Sequence, residues 1–376
     1  MKKYFLITVF ALISITLMGQ EIQNFRPQPV VSPEIANGKV TFRISARDAT
    51  NVRLYGSWMS SFTASETLEK DANGVWSITM TIPSPDIYTY NFIVDGVSVN
   101  DAANIFVQRD GRRFLSVLLI DGPLSANYRE ASKRGNVEHV WYDSPTIGTT
   151  RRMTVYTPYG YGSTNRRYPV LYLLHGGGGD EEAWISMGRA AQILDNLIEQ
   201  GKAVPMLVVM PNGNPGQQAA QTLMLPERTF ERNDPAFVNL YIHSLVKDIA
   251  PYIEANYRVI AEPNARAISG LSMGGGHTVS AVTTYPGFFS WILPMSSGIQ
   301  VNPETDAAFQ AIKSAGYSLF WYGCGTDDFA WEGGIRLVET LKRNEMEHTF
   351  HITGGGHTWS VWRQYLNELA QLIFKW

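Results

Sequence analysis

The sequence predicts an α/β fold built on a mostly parallel, doubly wound sheet and preceded by a small all-β sandwich. Two observations predict it. From about Val40 to Leu119, short apolar or alternating runs are separated by turn residues, with no helical period among them. From Val137 onward, strand-like runs alternate with helical stretches to the end of the chain, the pattern of a parallel sheet with crossover helices.

The elements follow in order. Lys2 and Lys3 precede the apolar run "YFLITVFALISITLM" and Gly19. A charged start, a short apolar core and a small residue at its end read as a signal peptide over residues 1–19, so the protein is expected to be exported, to the periplasm or the medium. The run is shorter than the roughly twenty residues a spanning helix needs, so no membrane span is expected in the mature protein. Residues 20–125 form the β-sandwich. "KVTFRIS", "NVRLYG", "VWSITMTI", "YTYNFIVDG" and "RFLSVLLI" are its strands, with "DANG" and "VDGVSVND" as turns. "DGPLSANYREASKRGN" reads as a polar linker. The second domain covers residues 135–376, with strands at "PVLYLLHG", "PMLVVMPNG", "ARAISG", "FSWILPMSSG", "SLFWYGCG" and "HTFHITGG". In its last helix Trp362, Tyr365, Leu366, Leu369, Leu372 and Ile373 share one face.

Composition narrows the functions. A net charge of −3 with scattered lysines and arginines offers no basic face for nucleic acid. A single cysteine, Cys324, excludes an internal disulfide and leaves stability to packed cores. The 10 Trp and 18 Tyr are a supply suited to a protein that handles sugars or aromatic groups.

In a doubly wound sheet, chemistry sits in the loops at the carboxyl ends of the strands. "ISGLSMGGGHT" places Ser272 between a strand and a helix, with Gly270 and Gly274 where the close approach of the two leaves no room for side chains. This is the nucleophile elbow of an α/β-hydrolase. A serine needs a base, and the chain order of that fold is serine, acid, histidine. His277 lies in the helix after the elbow. His348 and His351 lie within a strand, where residues three apart point to opposite faces, so they are not a metal pair. His357 alone follows a strand's end, in "GGGHTW", and is the base. The acid is Asp327 or Asp328, after "SLFWYGCG". The oxyanion hole takes one backbone N–H from Met273 and another from the loop Gly176–Gly179, at Gly177 or next at Gly178. That loop lacks the spacing of a nucleotide cradle. No cofactor and no metal is expected. Trp184, Phe329, Trp331 and Trp359 flank these loops in sequence and are candidates for a flat substrate slot.

"YPVLYLLHGGGGDEEAW", "VVMPNG", "ISGLSMGG", "CGTDD" and "GGGHTWSVW" resemble, in this order, carbohydrate esterase family 1, which contains feruloyl and acetylxylan esterases with relatives such as esterase D. The resemblance covers about residues 135–376. It implies that the last aspartate of the G-T-x-D motif, Asp328, is the triad acid. "VRLYGSW", "GVWSITM" and "YTYNFIVDG" resemble the immunoglobulin-like early-set module of carbohydrate-binding module family 48. Asn91 and Ser98 stand where glycogen-binding members carry Lys and Trp, which points away from starch or glycogen, and the module is expected to contribute little to the chemistry. Trp58 matches an aromatic sugar contact. Together these likenesses imply an exported serine esterase whose partner is a plant cell-wall glycan ester, feruloylated arabinoxylan. The alternatives are an acetylxylan esterase, a siderophore trilactone esterase, and a glycan-binding protein with an inactive esterase domain.

Overall fold

The structure is a computed structural model that describes residues 30–375 apart from Ser60, Phe62, Ile82 and residues 223–234. The expected signal peptide lies outside the described residues. The chain divides into two compact units. One holds the described residues within Met1–Leu54, Ser65–Ile82 and Phe92–Ile105, and the other holds Tyr55–Ala64, Pro83–Asn91 and Phe106 onward.

The N-terminal strands form two antiparallel sheets. In the first, β1 (Glu34–Ala36) pairs with β2 (Lys39–Ser45), then β6 (Val75–Thr81), then β5 (Glu69–Lys70). Asn37 and Gly38, both at positive φ, make the two-residue turn between β1 and β2. In the second, the order is β4 (Glu66–Thr67), β3 (Val52–Gly56), β7 (Asp86–Val94), β10 (Arg113–Ile120) and β9 (Val107–Asp110), with β8 (Val97–Val99) also on β7. Asp95 and Gly96 turn β7 into β8, again at positive φ. All five strands read from the sequence are present, and the short β1, β4, β5, β8 and β9 are additions.

The large sheet has eight strands. They are β11 (Asn136–Ser144), β12 (Thr149–Thr157), β13 (Val170–Leu174), β14 (Leu207–Pro211), β15 (Arg266–Leu271), β16 (Trp291–Met295), β17 (Leu319–Gly325) and β18 (Thr349–Thr353). Their spatial order is β11-β12-β14-β13-β15-β16-β17-β18. β11 and β12 are antiparallel to their neighbours, and β13 to β18 run parallel. This is the α/β-hydrolase sheet. Alternate residues of each strand feed two cores. Val170, Tyr172, Ile268, Ile292, Phe320 and Tyr322 enter one, and Leu171, Leu173, Ala267, Leu293 and Trp321 enter the other. Both faces are therefore buried, which is why these strands read as continuous apolar runs. Helix α1 (Ala183–Ser186), α2 (Ala190–Glu199) and α8 (Trp359–Leu369) supply the second core. Helices α3 (Pro235–Ser244), α4 (Ala250–Asn256), α5 (Met273–Thr284), α6 (Thr305–Ala315) and α7 (Trp331–Arg343) supply the first.

Residues 121–136 differ from the expected linker. Tyr128 is fully buried, Arg189 donates to its carbonyl, and Asn196 on α2 donates to the carbonyls of Asn127 and Arg129. One large ring in a polar stretch is enough to seat it.

Asp86 at the start of β7 accepts hydrogen bonds from Ser360 and from Nε and Nη2 of Arg363 on α8, with both charged side chains buried. Removing one partner of a buried ion pair leaves the other uncompensated. Asp86→Ala is expected to cost about 3–5 kcal/mol, read as a lower urea midpoint at unchanged slope. A change within about 0.5 kcal/mol would show that water reaches Arg363.

Candidate active site

Ser272 stands between β15 and α5 with φ 54° and ψ −116°. Such a backbone costs a non-glycine residue on the order of 1–3 kcal/mol and persists only where its surroundings enforce it. Here they do. The Ser272 N–H donates to Met295 O on β16, and its carbonyl accepts the N–H of Gly276 in the first turn of α5. A Cβ on Gly270 would lie 2.5 Å from the Gly274 carbonyl group, and one on Gly274 would lie 2.6 Å from the carbonyl oxygens of Leu174 and His175. Both glycines are thus required by backbone approach, as the elbow pattern predicts. The serine sits at the N-terminus of α5, where the first amides have no intrahelical acceptor and the helix dipole favours negative charge.

The glycine loop lies against this serine. A Cβ on Gly176 would meet Leu271 Cδ1 at 2.5 Å and Ser272 Cβ at 3.3 Å. His175 fixes where the loop begins. Its Nδ1 donates to Gly176 O at 2.8 Å, and its Nε2 accepts the Gly213 N–H at 2.8 Å. Those two bonds require the neutral Nδ1–H tautomer, and burial holds the ring's pKa down. Gly176 O also accepts the Gly179 N–H at 3.1 Å. The peptide plane is rigid and trans, so anchoring this carbonyl turns the Gly177 N–H the opposite way.

The loops after β17 and β18 are joined backbone to backbone. Thr326 N–H donates to Thr353 O, and Asp327 N–H donates to Gly355 O. A Cβ on Gly325 would sit 2.1 Å from Gly355 O, so only glycine permits the approach. The junction brings Asp328 to His357, with Nδ1 at 2.9 Å from Oδ1 and 3.1 Å from Oδ2. Asp328 is buried, at 3% exposure, and Asp327 is exposed. Burial alone would raise the Asp328 pKa. The hydrogen bonds from His357, the Ala330 N–H and Ser296 outweigh it and hold the carboxyl below its ordinary value. With Nδ1 engaged, His357 has Nε2 left to exchange a proton.

Other histidines take structural places. His277 is buried against the ring of Tyr241, and burial pushes its pKa down to about 3. His351 pairs with Glu368 and stacks on Trp321.

The four aromatic candidates separate. Phe329 is 79% exposed and lies over the His357 ring at 4.1 Å between centroids. Trp359 is half-buried, edge-on to Trp184 and Trp362. Trp331 is half-buried against Phe350. Trp184 is 1% exposed and donates its indole N–H to Leu174 O, so it is a core residue and lines no slot in this structure. Two neighbours of the Asp328–His357 pair went unread as site residues. Trp362 meets the imidazole edge-on at 4.9 Å and donates to Ser296 Oγ at 2.9 Å. Trp362 was legible only as part of the apolar face of α8, and Ser296 only as one polar residue at a strand's end.

Residues 144–372 match the protein family described as "Putative esterase". The chain belongs to that family. The esterase is 31% identical over 367 residues to an endo-1,4-beta-xylanase/feruloyl esterase of Xylanibacter ruminicola, covering 94% of this chain and 48% of the relative. It is 26% identical to endo-1,4-beta-xylanase Y of Acetivibrio thermocellus, over 61% of this chain and 22% of that one. It therefore spans about half the length, or less, of these curated relatives. Among solved structures, the feruloyl esterase module from Clostridium thermocellum complexed with sinapinate superposes at TM-score 0.56, with 21% identity, over 68% of this chain and 93% of its own. The enterobactin esterase from Shigella flexneri superposes at 0.66, with 17% identity, over 89% of this chain and 92% of its own. Both likenesses support the same fold. The chain carries a domain of that family after an all-β N-terminal region, and none of its described helices is long and apolar enough to cross a membrane.

Proposed function

We propose that this esterase is an exported serine hydrolase that releases ferulate from feruloylated arabinoxylan through an acyl-enzyme. The observation that carries the reading is the Asp328–His357 pair, held by joined strand-end loops in the chain order that an elbow serine requires. In the first half-reaction Ser272 Oγ bonds to the ester carbonyl carbon while His357 Nε2 takes its proton. The carbonyl oxygen becomes an oxyanion that accepts the N–H groups of Met273 and Gly177, with Gly178 next in line. The C–O bond of the leaving sugar alcohol then breaks, and that alcohol takes the proton from His357. In the second half-reaction water replaces the alcohol and ferulate leaves. Asp328 holds the imidazole in the Nδ1–H tautomer and balances its charge when it is protonated.

The feruloyl assignment is supported by the Xylanibacter relative and by Phe329, an exposed ring beside the base. An aromatic pair contributes about 0.5–1.5 kcal/mol beyond area burial. Phe329→Ala should therefore lower kcat/KM on methyl ferulate by about two- to tenfold while leaving p-nitrophenyl acetate within a factor of two. A panel of methyl ferulate, acetylated xylan and a catechol trilactone tests the substrate. Rapid deacetylation of xylan without ferulate release would replace this reading by acetylxylan esterase, and preference for the trilactone would replace it by siderophore hydrolysis.

A further inference from the structure

Four successive glycines make a poor platform for an oxyanion, because glycine has the most backbone freedom to lose. His175 anchors the first end of the loop Gly176–Gly179, and the other end is Asp180. Both Asp180 oxygens are taken by Arg109 in the β9–β10 hairpin, Nη1 to Oδ2 at 2.6 Å and Nη2 to Oδ1 at 2.6 Å. The same guanidinium donates to Gly111 O at 2.7 Å and to Glu182 Oε2 at 3.0 Å. The Arg109 backbone is tied as well, since its N–H donates to Ser186 Oγ and its carbonyl accepts from the same hydroxyl. Gly111, at φ 57°, brings the hairpin so near the loop that a Cβ there would lie 2.6 Å from Gly178 O. Arg109 and Gly111 fall within the residues expected to form a module of little catalytic weight, yet they belong to the same compact unit as Asp180, Ser186 and the large sheet.

We propose that Arg109 is a positioning residue for the esterase reaction, holding the far end of the glycine loop through Asp180 so that the loop's N–H groups are preset for the oxyanion. The inference rests on the catalytic reading above. A bidentate fork suits the task because it fixes the orientation of the carboxylate as well as its distance. A buried ion pair is weak evidence for stability alone, and a pair placed beside the loop has a geometric use. Mispositioning of a catalytic group by about 1 Å can cost a hundredfold.

The test uses the full chain with Arg109→Gln and Gly111→Ala, each checked for folding by circular dichroism and thermal melting. Gly111→Ala keeps the ion pair and drives a methyl group against Gly178 O, so it serves if Arg109→Gln does not fold. Kinetics on p-nitrophenyl acetate are read beside inhibition by phenylboronic acid, which takes the serine oxygen and becomes a tetrahedral anion. The expected result is a kcat lowered about 10- to 100-fold with KM within about twofold, and boronate affinity weakened in step, the signature of interactions made only in the transition state. Folded variants with unchanged kcat and unchanged boronate affinity would overturn the proposal and leave the pair as a structural tie. Ser272→Ala, run alongside, separates the two readings. If it is inactive while the Arg109 variant is fully active, only the positioning role fails. If it is as active as the parent, the catalytic assignment fails first.

Discussion

Ser272→Ala and His357→Ala are each expected to lower kcat on p-nitrophenyl acetate by a thousandfold or more. The double variant should be little worse than either single one, because nucleophile and base act as a unit and removing one disables the other. What remains comes from the loop amides and from binding, which neither substitution touches, so KM should move little. The fold should survive both changes. The elbow is held by Ser272 backbone bonds to Met295 and Gly276, and alanine keeps them. Full additivity of the two losses would mean that the residues act in separate steps.

Asp328→Asn is expected to cost about ten-thousandfold in kcat. An amide can turn its NH₂ toward His357 Nδ1, which then accepts instead of donating, and the ring carries its proton on the nitrogen that must receive the serine's. Asp327→Ala should cost less than about tenfold, because its side chain is exposed and its link to the base loop is a backbone N–H that any residue supplies. The same contrast sets the pH behaviour. The Asp328 carboxyl titrates below its ordinary 3.8, so it stays ionised as pH falls through the weakly acidic range. Asp328 should therefore add no step to the acid limb of kcat/KM in that range, leaving a one-proton limb with activity rising as pH rises. A two-proton acid limb in the parent, or a larger loss at Asp327 than at Asp328, would reverse the assignment of the acid.

The parallel strands were legible because burial on both faces leaves a continuous apolar signature, as in Val170–Leu174 and Leu207–Pro211. The positions of Ser272, Asp328 and His357 at strand ends followed from that register, since each loop begins where an apolar run stops. β11 and β12 went unread. β11 is largely exposed, with Glu138, His139 and Asp143 among its residues, and carries no apolar alternation. Sequence proximity failed for Trp184, five residues after the last loop glycine. Helix α1 turns its ring inward to Leu174 O, and no local pattern records which way one turn faces. Arg109–Asp180 and Asp86–Arg363 were invisible for another reason. A charge in a strand reads as a solvated face until a distant partner is placed beside it.

The central claim is that Ser272 becomes acylated, and labelling with a fluorophosphonate tests it most directly. Tryptic mass spectrometry should place one phosphonyl group on the peptide containing Ser272, with loss of esterase activity in proportion to labelling and no label in Ser272→Ala. Inactivation with the label on Cys324 or another serine, or full esterase activity in a protein labelled completely at Ser272, would contradict it.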